Sequence, residues 1–516
     1  MLWFLFLACD KAPPQETGEP PLDCVGVGWE THARELVETC QGCHSSDLQG
    51  EERQGAPVGL DFDLPDGVEG FAAQMVSLAT GPDAVMPPQG IDSALRERFA
   101  LWVDCGLPEL PRGACVGRTY EGDLLASTAP VDLCPTTRWV TGDLSIDADD
   151  AGLDCLCGVG GDLLIGEVES VDLPALSTLR GELILQSNPT LVRLGLEALE
   201  RSGRVRVRDN PVLEEVDIGS LAQVGGSFII RENPALTGLD LGGLAVVEGP
   251  IEVSQNASLA QLQTPRSLVD HADAIEISAL PELSAVRGFP GLLSVAGAIR
   301  MEGLGLAQVV AFPDLRSAGS VQLVNWPAMG QLRAFGAVEV IGGTLRVAEI
   351  GPVPSVDLFG QVRTVGGGLV VDRFRGRSVI GFPLLEQVDG ALEISNNAAL
   401  VELRFPLLSS TGGLSIHDDP QLPDLLGLQG LGAVGGNLEI YRNGSLSTLA
   451  GLENLTVIEG GFRLESLPAL TNLSALDGLT EIRGDLVLVD LPNFDQVGLD
   501  ARFSGVDVLG SVTIEP

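Results

Sequence analysis

Two cysteines and a histidine stand close together near the start of the chain, at a spacing that suits covalent chemistry. Residues 40–44 read Cys-Gln-Gly-Cys-His, the C-x-x-C-H pattern. In this pattern two thiols form thioether bonds to the vinyl groups of haem, and the imidazole that follows reaches the iron. Cys40, Cys43 and His44 therefore predict one covalently bound haem c with His44 as its proximal ligand.

A second iron ligand is expected further along the chain. Residues 85–88 read Val-Met-Pro-Pro and present a thioether in a rigid extended turn, because each proline fixes its own φ and turns its predecessor away from helix. Met86 is therefore the predicted distal ligand. Met75 is the rival sulfur, although its helix-like surroundings favour packing. His32 offers bis-His ligation as an alternative, against an ordinary surface position for this residue.

Two predicted helices flank these ligands. Residues 29–39 carry apolar side chains such as Leu36 at helical spacing, so the attachment site closes a helix. Residues 92–105 form a second amphipathic helix, which Gly106 ends.

Helix with C-x-x-C-H, loop, Met-Pro and terminal helix is an order that resembles a small class I c-type cytochrome. The resemblance covers about 85 residues, Cys24–Pro108. It implies an all-α domain in which Cys40 and Cys43 hold the haem covalently, while His44 and Met86 bind the iron from both sides. Such six-coordinate iron carries single electrons and has no open position for a substrate. We therefore expect an electron carrier and not an enzyme.

A zinc site is the main chemical alternative for Cys40, Cys43 and His44. Structural zinc sites usually bring a second pair of ligands at matching spacing, and none is evident. A thioredoxin-like redox motif needs a βαβ context, which is absent. Cys24 and Cys105 instead bracket the helical unit, where a disulfide between them would tie its two ends together.

The first residues suggest export. Residues 1–8 are apolar and run into Cys9 and then into a polar, proline-rich stretch. This resembles the end of a bacterial lipoprotein signal, which implies a lipid on Cys9 and a place in the cell envelope, periplasmic or at the outer-membrane surface. The segment is short and lacks a basic region, so a free Cys9 is the alternative. Membrane attachment is expected through lipid alone, since no other stretch has the roughly 18 uninterrupted apolar residues of a spanning helix.

The charge balance excludes whole classes of partner. The 516 residues include 71 acids against 30 Lys plus Arg, a formal net charge of −41. A protein this acidic repels nucleic acid and anionic lipid surfaces. The haem region shares the acidity, so its redox partner is expected to be cationic at the contact. Apolar residues make up 45% of the chain and aromatics 4%, which predicts an aliphatic core.

Most of the chain is a repeat anchored on Gly-x-apolar-x-apolar. Successive anchors lie 19 to 26 residues apart, most often 22 to 24, and a period in that range is typical of a solenoid. The anchors begin at Gly142, Gly161, Gly181, Gly203, Gly226, Gly249, Gly297, Gly319, Gly343, Gly367, Gly390, Gly412, Gly436, Gly460, Gly484 and Gly510, with Asp273 in the glycine's place in one coil.

Each anchor predicts a short strand with alternating inward and outward side chains. An Asn or Asp follows the second inward position by three residues in seven coils: Asn188, Asn210, Asn233, Asn256, Asn397, Asp419 and Asn443. Side chains of this type bond backbone groups at corners and, when stacked coil on coil, one another. A single coil cannot bury its apolar edge, so stacking stabilises the array.

This repeat resembles the receptor L domain, a right-handed β-helix related to leucine-rich repeats. The match covers about 400 residues from Cys115 onward. It has many more coils than the receptors and no cysteine-rich module between them, so the receptors' ligands do not transfer. The first coil needs a cap, which Cys115, Cys134, Cys155 and Cys157 are expected to supply. We favour a Cys115–Cys134 bridge, although four cysteines permit three pairings.

Two histidines and three arginines in the repeat invite a catalytic or docking interpretation. His271, in the irregular coil, and His417, at an Asn corner, have no nucleophile motif beside them and are interpreted as solvated. Arg373, Arg375 and Arg377 form a local basic spot, interpreted as an exposed loop with partner docking as the alternative.

The sequence thus predicts a small all-α cytochrome c domain followed by a long, mainly-β right-handed solenoid. The expected segments are a signal (1–9), a proline-rich linker (10–23), the haem domain (24–108), a cysteine-containing cap with the first coil (109–160) and the repeats (161–516). The expected function is electron transfer, with the solenoid as scaffold or docking surface. The alternative is a surface receptor or adhesin whose solenoid binds a protein or carbohydrate, with haem as an accessory.

Overall fold

A computed structural model gives the fold of the chain. It describes Leu36 and residues 93–104, 118–130, 133–134, 137–149, 152–305, 308–326, 331–351, 358–378 and 381–515. The chain divides into two compact units, Met1–Arg118 and Thr119–Pro516. In the first unit the predicted second helix is present as Ser93–Asp104, with Leu95 and Phe99, four residues apart, buried.

The second unit is a parallel β-solenoid of about 16 turns, as the glycine period predicts. Its largest sheet contains 30 described strands, which form two rows along the solenoid. The main row consists of Leu124–Leu125, Leu144–Ile146, Leu163–Ile165, Thr178–Gln186, Arg201–Arg208, Phe228–Arg231, Ile251–Ser254, Ile275–Leu280, Ser294–Leu304, Ser317–Trp326, Leu345–Ile350, Leu369–Asp372, Gln387–Ser395, Ser410–His417, Leu438–Tyr441, Phe462–Glu465, Leu486–Val489 and Val512–Glu515.

A row of shorter strands precedes the main row in most coils. It consists of Arg118–Tyr120, Thr137–Val140, Gly158–Val159, Gln223–Val224, Val246–Val247, Asp270–His271, Val340–Ile341, Thr364–Val365, Ala433–Val434, Val457–Ile458, Glu481–Ile482 and Asp507–Val508. Where there is no separate short strand, as at Thr178–Gln186, the residues of the short row continue directly into the main strand.

Two smaller parallel sheets and a few helices complete the described part of the coils. One sheet has Ser170–Asp172, Arg193–Gly195, Glu215–Asp217, Gly238–Asp240 and Gln261–Gln263, and the other has Ala285–Gly288, Gln308–Ala311 and Gln331–Ala334. The helical elements are the short 3-10 turns Ala126–Thr128, Leu426–Leu428 and Ser474–Leu476 and the α-helix Gln496–Phe503.

The register places equivalent residues of successive coils directly over one another. Leu183 pairs with Val205, Val205 with Phe228, and Phe228 with Ile251, and all four are buried. The predicted inward positions are thereby confirmed, and the core is one continuous column of mostly aliphatic side chains. Each coil buries its apolar edges on its neighbours, which is why stacking stabilises a solenoid.

The anchor glycines lie where the backbones of successive coils approach most closely. A Cβ on Gly367 would stand 2.7 Å from the carbonyl carbon of Gly343, and one on Gly510 would stand 2.5 Å from that of Gly484. Real Cβ contacts are longer than this. Glycine is therefore favoured at the anchor because a side chain there would collide with the coil before it, and Asp273 is the exception.

Each coil turns sharply just after its main strand. In the coils of the Asn column, the residue before each Asn or Asp has a positive φ, for example 59° at Asp209 and 57° at Asp418. Such left-handed residues are tolerated best when they are Gly, Asn or Asp. The Asn side chains are buried and bond one another from coil to coil, as predicted: Asn210 Nδ2 donates to Asn233 Oδ1 at 2.8 Å.

The Asn column is interrupted in the middle of the solenoid. Between Asn256 and Asn397 the same position is filled by buried apolar side chains, among them Leu304 and Trp326. The amide-bonded corner is therefore restricted to two blocks of coils.

Six stacked phenylalanines run through the central coils. Their ring centroids lie 4.7 to 5.6 Å apart and adjacent rings are within 19° of parallel. All six are buried: Phe289, Phe312, Phe335, Phe359, Phe382 and Phe405. Their spacing of 23 or 24 residues was visible in the sequence, but the strand pattern does not include them.

The disulfide at the start of the solenoid differs from the favoured pairing. Cys134 is bonded to Cys155, with 5.7 Å between their Cα atoms, so the Cys115–Cys134 bridge is wrong. The two residues are 21 apart, about one coil, and a residue one coil away is the nearest neighbour along the solenoid axis. Cys157 is disulfide-bonded as well.

Candidate functional site

The residues predicted to hold haem, lipid or the flanking disulfide lie outside the described residues. They are Cys9, Cys24, Cys40, Cys43, His44, Met86, Cys105 and Cys115, together with the alternatives His32 and Met75. Their roles stay predictions. The site that the structure does describe lies on the outer surface of the main strand row.

Two aromatic rings stack on this surface because the strands that carry them are neighbours in register. His417 pairs with Tyr441, and adjacent strands lie about 4.8 Å apart. Their ring centroids are 4.5 Å apart and the planes differ by 5°. The guanidinium carbons of Arg442 and Arg463 lie 4.8 and 5.2 Å from the Tyr441 centroid. We call these four residues with Asp418 the Tyr441 cluster.

Asp418 holds the cluster together. Arg442 donates to both carboxylate oxygens, from Nε at 2.8 Å and from Nη2 at 2.6 Å, and the His417 Nδ1 lies 2.8 Å from Oδ2. These hydrogen bonds, that of Arg442 above all, lower the pKa of Asp418 to about 2. Asp418 is therefore ionised at neutral pH, and it fixes the orientation of one cation and one imidazole.

A shallow groove of about 390 Å³ adjoins the cluster. Its floor is formed by anchor glycines of two successive coils, and Glu439, Arg463 and Asp485 lie along it. Arg463 is ion-paired to Glu465. The groove and cluster together present an aromatic hydroxyl, guanidinium groups and carboxylates to solvent, which suits hydrogen bonding to a polar partner. Tyr and Arg are the residue types that most often dominate protein contacts.

The expected basic spot at Arg373 is neutralised by acids. The Arg373 guanidinium lies 2.9 Å from Glu349 and 2.9 Å from Asp372, and 56% of the Arg373 side chain is exposed. Asp372 is buried and also accepts from Asn396 Nδ2 at 3.0 Å. Arg373 is therefore neutralised locally, while Arg375 and Arg377 are exposed, as expected for a surface loop.

The interpretation of His271 as solvated is wrong, whereas His417 is half-buried on the outer face of its strand. His271 is 2% exposed, because it ends a short strand whose alternation turns it into the core, and burial lowers its pKa. Only 15% of the His417 side chain is exposed, because Tyr441 and Asp418 cover the rest. Sequence alternation alone marks His271, since it occupies the inward position held by Val295 in the next coil.

Comparisons with known proteins add little to this geometry. No protein-family model and no curated protein matches the chain. A solved structure described as the crystal structure of a TLR13–ssRNA13 complex is similar over 70% of this chain and 72% of that chain, with 11% identity and a TM-score of 0.17. Values this low assign neither a family nor a ligand.

Within the described ranges, no helix is both long and apolar enough to cross a membrane. The same ranges contain no group of three or more His, Cys, Asp or Glu side chains placed to hold a metal ion.

Proposed function

We propose that this protein is an exported electron carrier with one covalent haem c, in which the solenoid serves as scaffold and docking surface. The proposal rests on one observation, the order of C-x-x-C-H at residues 40–44, Met-Pro at 86–87 and an amphipathic helix after them. That helix is present as Ser93–Asp104, with its apolar residues Leu95 and Phe99 buried.

Four side chains would hold the haem. Cys40 and Cys43 would bind it through thioether bonds, and His44 and Met86 would bind its iron. A haem with His and Met ligands exchanges one electron at a time, at a higher potential than one with two imidazoles. Arg53, in the loop after the motif, is a candidate for pairing with a haem propionate.

The proposed setting follows from the flanking segments. Lipid on Cys9 would hold the protein in a bacterial cell envelope, either in the periplasm or at the outer surface. The acidic haem region favours a redox partner with a cationic contact. The solenoid would be of the right-handed, receptor L domain-like kind.

The axial ligands are tested with three variants of the full chain, expressed with a haem-attachment system. Cys40→Ala/Cys43→Ala should remove covalent haem, so that denatured protein no longer carries colour. Met86→Ala should keep covalent haem and change its spin state, seen in the visible spectrum. His32→Ala is the matched control and should retain the parent spectrum. A Met86→Ala spectrum identical to the parent would exclude Met86 as a ligand.

A second candidate function is binding of a protein or carbohydrate on the solenoid. The Tyr441 cluster favours it, because it gathers one of the two tyrosines of the chain, a histidine and two arginines on one exposed strand face. Full-length Tyr441→Ala/Arg442→Ala should lose adhesion to envelope preparations or glycan arrays. Arg316→Ala/Glu339→Ala removes an exposed ion pair elsewhere and should leave binding intact. Equal binding by both variants would argue against the cluster.

A further inference from the structure

One member of the Asn column is an aspartate, and its surroundings are those of an amide. In five of the six Asn residues of the column, the Nδ2 donates to the carbonyl of a main-strand residue one coil earlier, including Asn210 to Leu185 at 3.4 Å, whereas Asn188 donates to Gly166 just after the strand. The other distances are 3.1 Å for Asn233 to Val207, 3.0 Å for Asn256 to Ile230, 3.2 Å for Asn397 to Val371 and 2.9 Å for Asn443 to Ile416.

Strand register identifies the carbonyl that belongs to Asp419. Val371 pairs with Ile394, and Ile394 pairs with Ile416. The carbonyls of Val371 and Ile416 accept an amide from the column, so Ile394 is the equivalent acceptor one coil before Asp419. An ionised Asp has no hydrogen to donate there.

The two carboxyl oxygens of Asp419 are in different situations. Oδ1 accepts from the backbone N–H of Asn397 at 2.7 Å, as an Asn Oδ1 would. Oδ2, in the place of the amide nitrogen, is buried without a hydrogen-bond partner in the described structure. The residue as a whole is 0% exposed. A buried oxygen of this kind costs free energy unless it gains a partner.

We propose that Asp419 is protonated in the folded protein and that its O–H donates to the Ile394 carbonyl. This hydrogen bond links two coils and exists only while the proton is bound. The neutral acid then has one acceptor oxygen and one donor, as an amide has, and fits the column. Loss of the proton leaves an anion facing a carbonyl oxygen in the core.

The charges around the group favour the neutral form. Asp418 precedes it in the chain and Asp372 lies two coils away, and both raise its pKa, while the Asn397 bond lowers it. The nearby cation, Arg442, is bonded to Asp418, as is His417; Glu393 and Arg373 belong to neighbouring coils and are engaged at the surface. Burial is the largest cause, and the pKa of Asp419 lies at about 7 against an ordinary 3.8.

The sign of the pH effect follows from this raised pKa. Below about pH 4 Asp419 is protonated in both the folded and the locally unfolded chain, so its ionisation does not affect the free energy of local unfolding. Between pH 4 and about 7 only the locally unfolded chain loses the proton, so the equilibrium constant for local unfolding rises by up to about tenfold for each pH unit. Above about 7 the effect is constant. The coils around Asp419 are therefore most stable against local unfolding in acid.

Hydrogen–deuterium exchange of the full-length protein between pH 4 and 8 tests this. The measured quantity is the exchange rate of strand Gln387–Ser395 and the Asn397 amide in the parent relative to Asp419→Asn at the same pH, so that intrinsic exchange cancels. We expect the ratio to rise with pH and level off above 7. Asn443→Asp moves the same chemistry one coil along and should acquire the same dependence. Asp418→Asn alters a half-buried carboxylate next to Asp419 and should leave this pH dependence in place.

A pH-independent ratio for Asp419→Asn would overturn the proposal. A second measurement on the parent protein does not depend on any variant folding. With ¹³C-labelled aspartate, the Asp419 carboxyl resonance should report a neutral acid at pH 5 and titrate near 7. A carboxylate signal at pH 5 would contradict protonation.

Discussion

At the scale of single residues, the close stacking of the coils depends on the anchor glycines, because a side chain on their Cα atoms would collide with the backbone of the preceding coil. Spacing alone predicts where they lie, but it does not distinguish a need for positive φ from a need for space. The structure shows the second cause, since the anchors Gly367 and Gly510 have ordinary φ and no room for a Cβ. The residues before each member of the Asn column, such as Asp209, are among those that have positive φ.

Gly367→Ala should therefore destabilise the protein by about 1–3 kcal/mol, because the added methyl overpacks two backbones. Thermal or denaturant unfolding of the full chain measures this. The control is Gly360→Ala, at a turn where an added Cβ meets nothing within 4 Å. That substitution should be neutral or slightly stabilising, because alanine restricts the unfolded chain. Equal losses at both positions would contradict the close-approach explanation.

Asp418 should give a pH dependence opposite to that of Asp419. Its pKa is lowered to about 2, chiefly by the Arg442 hydrogen bonds, so its contribution is present above 3.8 and lost as pH falls toward 2. Arg442→Gln should lower the unfolding midpoint slightly at pH 7, since the pair is exposed. The difference from the parent should vanish near pH 2, and a difference unchanged by acid would contradict this account.

At the scale of elements, the central coils are built on the phenylalanine stack. A residue that recurs once per coil stacks on itself whenever the coils are in register, and the parallel arrangement brings these rings to contact distance. Phe289, Phe312 and Phe335 also have positive φ, between 53° and 57°. The stack thus fixes the register of the coils in which the Asn column is interrupted.

Phe382→Ala should cost about 3–5 kcal/mol, because it opens a cavity between two rings in a fully buried column. Phe382→Leu keeps most of the volume and should cost less than half as much. Phe382 suits the test because its φ is not positive, so backbone strain does not enter. Chemical unfolding followed by circular dichroism gives both values, and a small loss for alanine would show that the stack is not needed.

Periodicity predicted the strands, their inward residues and the Asn contacts, because each depends on one residue type recurring once per coil. It did not identify the Cys134–Cys155 bond, since four cysteines within 43 residues, Cys115–Cys157, leave the pairing to the path of the first coils. The burial of His271 contradicts the expectation that a titratable side chain is solvated, because strand alternation turns it inward. The Tyr441 cluster was missed because it joins outward residues of neighbouring coils.

At the scale of the whole molecule, two kinds of evidence stand side by side. The solenoid follows from the repeat and is described in the structure, while the haem motif is a sequence pattern whose residues lie outside the described ranges. The five-residue motif at 40–44 predicts haem attachment but does not define a fold, and the repeat predicts a β-solenoid but does not define a chemical function. The proposed electron carrier joins the two.

The most direct test of that proposal is the visible spectrum of the purified full-length protein, made in cells with a haem-attachment system and recorded oxidised and reduced. The account predicts a pyridine haemochrome of c type, one haem per chain, that remains with the polypeptide after denaturation and changes reversibly on reduction. A colourless protein, with Cys40 and Cys43 free to react with a thiol reagent, would contradict it.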